Sequence, residues 1–360
     1  MRGIIDVFDP RGVSSTGDHI LTNQGRLALL IIIGMLALLG PIAAIFEPFW
    51  LYVLVQILVF ALLTLSLDFV FGYAGLLSFG HAAMFGTGGY AAALLITEVT
   101  PNALVVLPAA MLTGIVVAAV IGWFSVRAKG IYFAMLTLAF AQMFYVVAFA
   151  DLPAAVAGVG SVTGGDNGIH GIQLYELFWI DLSARINYYF LTLAIVAASL
   201  AILIRVANSP FGRVLQGIRE NEERIEFIGY DVQRYKIIGF AISGGFAGLA
   251  GGLHVPFQSV ANPQLLHWTV SGELIVMLLL GGMGTLWGPM LGAAAVIVLE
   301  ELLAGVATWE VILGAIFVVV VIFAPRGLAG VIVTTAKNPR NALSNAKRAV
   351  RTYVKEVQGK

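Results

Sequence analysis

Long apolar stretches separated by short polar segments dominate the chain between about residues 27 and 325. A helix needs roughly 20 apolar residues to cross a hydrocarbon core of about 30 Å. Stretches of this kind recur along the chain, and we predict about ten transmembrane helices from them. The pattern therefore predicts an all-α fold, a polytopic membrane helical bundle. The predicted spans are 27–46, 50–70, 76–97, 103–125, 131–149, 188–206, 236–256, 270–284, 287–305 and 309–325.

The eighth predicted span is short and ends in Gly281-Gly282-Met283-Gly284. Glycine at this spacing indicates a broken or re-entrant helix, and total counts of eight or nine spans stay open. Irregular backbone at membrane depth is tolerated where it is buried in protein or lines a cavity. We therefore expect short or glycine-broken helices in this part of the bundle.

The polar segments divide the chain into an N-terminal arm (1–26), a transmembrane domain (27–325) and a basic tail (326–360). The first apolar stretch is too long for the roughly 7–15-residue core of a signal peptide, so we interpret it as a span. Two connections inside the domain are long, 150–187 and 207–235. The tail carries apolar residues at helical spacing, and both an interfacial amphipathic helix and a solvated tail remain open. These apolar residues are Leu343, Ala346, Val350, Tyr353 and Val357.

Lysine and arginine are distributed very unevenly between the two sides of the predicted bundle. With the N-terminus in the cytoplasm, segments 1–26, 127–129, 205–236 and 326–360 lie inside and carry 19 of the 20 basic residues. Such a bias sets membrane orientation. We therefore predict a multi-pass protein of the inner (plasma) membrane with both termini cytoplasmic. A miscounted span around 270–305 would move the tail to the other side.

Composition supports a lipid environment and excludes several function classes. The chain is 59% hydrophobic and 11% charged, whereas soluble domains are about 45–50% apolar and about 25% charged. The net charge is zero, so no nucleic-acid partner is indicated. The five histidines show no metal-ligand spacing, and neither a nucleophile elbow nor a phosphate-binding loop is present. We predict no catalytic residue, metal or cofactor, and any ATP hydrolysis would come from another chain.

A few acidic residues fall within or beside the spans, and all are near predicted span ends. Burial of an acid at mid-span costs about 2.5–3.5 kcal/mol on insertion scales. We therefore expect an interfacial position for these acids rather than a role in ion coupling. They are Asp68, Glu273, Glu300 and Glu301.

The inside loop 207–235 is the most charged connection. Pro210 is expected at a helix start, and 221–228 is expected to form a short helix that Gly229 ends. Such a helix suits docking into another protein. It could equally be a solvated helix with i,i+4 pairs such as Glu220–Arg224.

Three segments resemble the branched-chain amino-acid ABC permease family, and most closely its LivM-type subunits. The first is 72–85, GYAGLLSFGHAAMF. The second combines IRENE at 218–222, Gly229-Tyr230, Lys236 and FAISGGFAGLAG at 240–251. The third is 281–293, GGMGTLWGPMLGA. The matches run in consistent order from about residue 60 to residue 326.

The resemblance implies an ABC importer that pairs this chain with a homologous LivH-type permease, two ATP-binding subunits and a periplasmic substrate-binding protein. The inside loop 207–235 would dock on an ATP-binding subunit, and the connection 150–187, the outside loop, would face the binding protein. The implied ATPase contacts are Arg219, Glu220, Asn221, Glu222, Arg224 and Gly229. The implied binding-protein contacts are Thr163, Gly164 and Asp166, although a flexible glycine-rich turn remains open.

Two roles stay open for the glycine-rich segments: helix packing through small residues, or contact with the solute along the translocation path. The residues concerned are Gly75, Ser78, His81, Gly282, Gly284 and Thr285. Branched-chain amino acids are the default cargo, with urea, amides or aromatic acids as alternatives. A channel or facilitator that needs no ATPase is the other class to be tested. A membrane enzyme lacks any convergent polar cluster.

Overall fold

The computed structural model describes residues 48–158, 160–176 and 184–306, together with residues 34, 39–41, 182, 311–312, 314–315, 317–318 and 327–330. Within these residues the chain is mostly helical. Two-residue strands β1 (Ile169–His170) and β2 (Val260–Ala261) pair antiparallel. The helices are α1 Pro48–Ala74, α2 His81–Glu98, α3 Ala103–Ser125, α4 Ile131–Phe149, α5 Leu152–Ala157, α6 Arg185–Ala207, α7 Pro210–Glu220, α8 Glu222–Phe227, α9 Val232–Gln258, α10 Trp268–Gly281 and α11 Gly288–Leu303.

Helices at the predicted positions confirm the helical bundle. Helices α3 and α4 coincide with predicted spans, and α1, α6 and α9 contain three more. These five helices are long and apolar enough to cross a membrane, among the residues described. Helix α10 has only 14 residues, as the short eighth span predicted. The arm 1–26, the tail and most of the spans 27–46 and 309–325 lie outside the described residues, so the count of ten stays a prediction.

Helix α9 is the centre of the bundle and packs on α1, α2 and α3. Backbones touch where Gly88 of α2 and Gly114 of α3 meet Gly248 of α9. A Cβ on Gly88 would overlap the backbone of Gly248, and one on Gly114 would lie 2.9 Å from the Gly248 Cα. Small residues allow this approach. The three helices therefore form a block in direct backbone contact.

Burial separates the central helices from the peripheral ones. In the most apolar stretch of α1 and of α9, 78% of the residues are buried, against 33% in α3 and 28% in α4. Leu112, Val116 and Phe124 on α3 and Met135 on α4 are exposed. Large apolar faces of this kind are stable against lipid or another membrane subunit. The peripheral helices therefore present the surface that fits the bilayer.

The two ends of the bundle differ in structure. The end that we predict to lie outside, called the outer end, is formed by α5, by the β1–β2 pair and by the bridge between Asn102 and Glu176. It also carries the hydrogen bond of 2.5 Å from the Tyr175 hydroxyl to the Gly252 carbonyl. The opposite end, which we predict to lie in the cytoplasm and call the inner end, is formed by the last turn of α1 and by α7 and α8. The Ser209 side chain accepts from Gly212 N, and Pro210 occupies the first turn of α7, as predicted.

Candidate functional site

Two non-helical segments interrupt the bundle near its inner end. The first break comprises residues 75–80 between α1 and α2, and the second comprises 282–287 between α10 and α11. The second break lies against the end of α1, because a Cβ on Gly72 would lie 2.8 Å from the Gly284 Cα. The fold thus brings together glycine-rich segments that are about 200 residues apart in sequence.

A buried carboxylate stabilises the second break. Asp68 of α1 is fully buried; its Oδ1 accepts from Gly284 N at 2.5 Å and its Oδ2 from Leu286 N at 2.9 Å. Thr285 Oγ1 donates to Gly282 O at 2.8 Å and accepts from Gly288 N at 2.9 Å. A buried break needs such partners because its backbone groups have lost their helical ones.

The interfacial position expected for Asp68 is therefore wrong. Its proximity to a span end was read correctly, but the neighbouring break encloses it and offers backbone N–H donors. Glu273, Glu300 and Glu301 are half-buried, and the interfacial position expected for them stays a prediction. Hydrophobicity alone could not reveal partners supplied by distant backbone.

Neutral hydroxyl groups stabilise the first break. Ser78 Oγ accepts from Gly80 N at 3.0 Å, Thr137 Oγ1 accepts from Phe79 N at 3.1 Å, and Ser271 Oγ accepts from Ala82 N at 2.9 Å. The donors and acceptors come from three different helices and the break itself. The break is therefore held both by its own Ser78 and by side chains of neighbouring helices.

His81 joins the first break to the central helix. Its Nε2 lies 2.8 Å from Ser243 Oγ, and Ser243 Oγ donates to Ser66 O at 2.6 Å. Because the serine proton is used in that bond, Nε2 carries the proton of the imidazole. Ser243 lies 11 residues beyond the start of α9, about 16 Å along the axis at the usual helical rise. The first break therefore reaches well into the bundle.

The six residues considered for the translocation path or for packing thus gather in one region. Ser78, His81, Gly284 and Thr285 all make hydrogen bonds within the chain. Gly75 has φ +72° and lies against the side chain of Arg219, and Gly282 has φ +112°. These contacts favour the packing role of the two left open, while contact with a solute stays a prediction.

The inner loop, α7 and α8, is attached to the two central helices. Arg219 donates from Nη1 to the carbonyl of Gly72 at the end of α1. Glu222 pairs with Lys236 of α9 at 2.8 Å, and Lys236 is buried. Burial lowers the pKa of Arg219, and attraction by Asp68 and Glu220 opposes that shift. Movement of this loop would therefore be passed directly to α1 and α9.

Beyond these attachments, the loop ends in an apolar tip. Asn221 caps α8 by accepting from Arg224 N, and Gly229 with φ +94° follows the helix, so the predicted short helix is confirmed. Phe227 is 89% exposed, Ile228 64% and Tyr230 40%. We call residues 227–230 the apolar tip. The sequence contained its signal, two adjacent apolar residues in a charged loop, but our interpretation concentrated on the charges.

The predicted ATPase contacts accordingly separate into two groups. Glu220, Asn221, Arg224 and Gly229 are exposed beside the apolar tip. Arg219 and Glu222 instead point towards α1 and α9 and make the attachments described above. Their role as contacts stays a prediction, and the structure places them behind the exposed surface.

At the outer end, Asp151 organises the glycine-rich loop 160–168. Its carboxylate accepts from Ser161 Oγ at 2.6 Å, from Val162 N at 3.1 Å and from Thr163 N at 2.9 Å. The Ser161 hydrogen bond contributes most, followed by Thr163 N, and they lower the pKa of Asp151 to about 2. Thr163 is buried and Gly164 is half-buried, whereas Asp166 is exposed. Of the three predicted binding-protein contacts, Asp166 is the most accessible.

Comparison with known proteins gives a consistent result. A family model described as "Branched-chain amino acid transport system / permease component" matches residues 49–324. The chain is 28% identical over 295 residues to the high-affinity branched-chain amino acid transport system permease protein LivM of Escherichia coli, with 75% of this chain and 68% of that protein covered. The probable LivM of Methanocaldococcus jannaschii is 26% identical, with 67% of this chain and 77% of that protein covered. LivH of Salmonella typhi is 24% identical, with 75% of this chain and 91% of that protein covered. No solved structure matches the chain.

Proposed function

The chain belongs to the branched-chain amino-acid ABC permease family, and we propose that it forms half of an ATP-driven translocation path for branched-chain amino acids. The family predicted from three ordered motifs is confirmed. The chain is thus a multi-pass permease subunit of an ABC importer, a transport protein rather than an enzyme. The homologues include both LivM and LivH proteins, which implies a partner permease.

The observation that carries the proposal is an inner loop attached to the central helices and ending in an exposed apolar tip. Phe227 at 89% exposure is a side chain that a partner's groove would remove from water, and aromatic anchors of this type dominate interface energetics. We assign that groove to an ATP-binding subunit. Two such subunits and a periplasmic binding protein would complete the importer.

The contacts of Arg219 and Glu222 define how movement of the inner loop would reach the bundle. ATP binding and hydrolysis in the partner would displace α8, and the Glu222–Lys236 pair would carry that displacement to α9. The Arg219 hydrogen bond to Gly72 would carry it to α1 beside both breaks. The bundle would then open alternately to each side. Affinity for the solute would reside mainly in the binding protein, because the path has to release its cargo.

Reconstitution tests the coupling. In proteoliposomes with the partner permease and ATP-binding subunits, Phe227→Ser should reduce ATP-dependent leucine uptake at least tenfold, because the tip loses its anchor. Val156→Ser is the matched control: Val156 is also 89% exposed, but it lies on α5 at the outer end. Equal uptake by the two variants would contradict the assignment of the tip.

The same preparation separates the alternatives. A channel or facilitator would carry solute without ATP-binding subunits, and flux that persists in their absence would refute ATP-driven transport. Urea, short amides and aromatic acids should be offered beside leucine, isoleucine and valine. The strongest competitor of leucine uptake would identify the cargo class.

The orientation can be tested directly because the chain has no cysteine. We propose an inner-membrane location with both termini and α8 in the cytoplasm. A single cysteine at Glu223 should then resist an impermeant maleimide in intact cells, whereas one at Asp166 should react. The reverse pattern would invert the assigned sides.

We further propose that the binding protein docks on the loop around Asp166.

A further inference from the structure

A cavity of about 230 Å³ lies at the inner end, between the end of α3 and the start of α9. Trp123, Arg127, Asp231, Gln233 and Arg234 are among the side chains that line it. Its lining residue Asp231 directly follows Tyr230 of the apolar tip. Neither Arg219 nor Glu222, which attach the inner loop to α1 and α9, is among the lining residues. The cavity therefore adjoins the proposed ATPase contact but is lined by other residues.

The cavity has an excess of positive charge. Arg127 lies over the ring of Trp123, 5.7 Å from its centroid, and no carboxylate lies within 4 Å of it among the described residues. Arg234 pairs through Nε with Asp231 at 2.7 Å, so the described contacts use only one of its donors. Two guanidinium groups thus face one carboxylate. Arginine presents a planar fork of donors that matches phosphate oxygens.

The surroundings of the cavity point to lipid. Trp123 is 57% exposed and Phe124 60% exposed, at the end of a helix whose most apolar stretch is only 33% buried. Tryptophan at the end of a span is typical of the membrane–water interface. Acyl chains could lie along the exposed face of α3 while a headgroup enters the cavity. Basic pockets at such positions bind acidic lipid headgroups.

We propose that this cavity binds the phosphodiester headgroup of an anionic glycerophospholipid from the leaflet at the inner end. Arg127 and the unused donors of Arg234 contact the phosphate, Gln233 donates to the glycerol part, and Trp123 marks the interface. Asp231 holds Arg234 in place through its ion pair and by capping α9, where it accepts from Arg234 N at 3.1 Å. The site would stabilise the start of the central helix against α3.

Native mass spectrometry of the full chain, purified with the subunits that accompany it, tests this proposal. The probes are phosphatidylglycerol, phosphatidylcholine of the same chain length and soluble glycerol 3-phosphate. Wild type should bind phosphatidylglycerol in preference to the other two. Arg127→Gln or Arg234→Gln should each weaken that binding about fivefold, as expected for one basic residue at a membrane surface, and the double variant more. Arg213→Gln, at an exposed position on α7, should bind like wild type.

Two further measurements keep the test decisive. Arg127→Lys retains the charge and should keep most of the binding, and thermal unfolding of each variant shows that it is folded. The proposal is overturned if folded double variants bind phosphatidylglycerol like wild type, or if phosphatidylcholine binds equally well. Competition by millimolar glycerol 3-phosphate without lipid binding would mean a soluble phosphate ligand. Loss of an accompanying subunit from the double variant would mean a protein occupant, and either result also overturns it.

Discussion

Two aspartates organise glycine-containing segments at opposite ends of the bundle, in very different surroundings. Asp68 at the inner end is fully buried and accepts from the backbone of the second break, 216 residues or more away in sequence. Asp151 at the outer end is partly exposed and accepts from residues 10 to 12 positions ahead. The same chemistry thus serves a long-range core contact in one place and a local loop in the other.

The difference indicates where each carboxylate acts. Water can replace the acceptor at Asp151, so its removal loosens one loop at modest cost. Nothing replaces Asp68, because the N–H groups of the second break are buried against α1. Unpaired buried donors cost about 1–3 kcal/mol each. Asp68 is therefore a determinant of the fold, whereas Asp151 sets the shape of one surface.

The largest effect is expected for Asp68→Ala, which leaves two buried donors without an acceptor. The free energy of unfolding should fall by about 3–5 kcal/mol, seen as a much lower thermal midpoint and a poor yield in detergent. Glu98→Ala removes an exposed acid at the outer end and serves as the control. If the thermal midpoint of Asp68→Ala is as high as that of Glu98→Ala, Asp68 is not the determinant of the fold that distinguishes it from Asp151.

Thr285→Val tests whether the carboxylate alone holds the second break. The variant loses the bonds to Gly282 O and from Gly288 N, so we expect a loss of about 2 kcal/mol in unfolding free energy. Thr285→Ser keeps the hydroxyl and should retain most of the stability. If valine and serine behave alike, the hydroxyl has no structural role in the break.

Arg219→Gln tests the hydrogen bond that attaches the inner loop to the end of α1. The outer end has no corresponding link to the proposed ATPase contact among the described residues. The loss of the bond to Gly72 O should cost about 1 kcal/mol. ATP-dependent uptake should fall by more than the small loss of folded protein explains, because the link between α7 and α1 is broken. Arg213→Gln on the same helix, exposed to solvent, should affect neither. Proportional losses of stability and uptake would assign Arg219 to folding alone.

The smallest effect is expected for Asp151→Asn, and it depends on pH. The folded-state pKa of about 2 lies below the ordinary 3.8, so the carboxylate stabilises the loop above pH 3.8, and this contribution is lost as the pH falls towards 2. The variant should lack this dependence. Hydrogen exchange of residues 160–168 between pH 5 and 2 measures it, with Asp166→Asn as a control that keeps the wild-type profile. An identical profile for all three proteins would contradict the role of Asp151.

Much of the fold could be read from the sequence because the bilayer imposes length and hydrophobicity on each span. The boundaries of α3 and α4 were predicted to the residue. The short helix α8 was also predictable, since Asn221 and Gly229 act locally as its cap and stop. Hydrogen bonds over long sequence separations were not predictable in this way. An interfacial position was therefore expected for Asp68.

The candidate site was predictable in position but not in orientation. The sequence indicated the inner loop and both glycine-rich segments, yet not that Arg219 and Glu222 attach the loop while Phe227 is exposed. In the six-residue α8, which contains Glu222 and Phe227, a shift of one position changes which side chains reach the bundle, so spacing alone could not decide their orientation. Only the positions of α1 and α9 determine that choice.

The backbone contacts among α2, α3 and α9 have a mechanical consequence. Where glycine backbones touch, no side chain can change rotamer to absorb a displacement, so these three helices have to shift as one stiff unit. Strain applied at α8 and passed through Lys236 would then be relieved at the non-helical joints, residues 75–80 and 282–287. In these terms α9 would be the arm of a lever, and the two breaks would be its pivots.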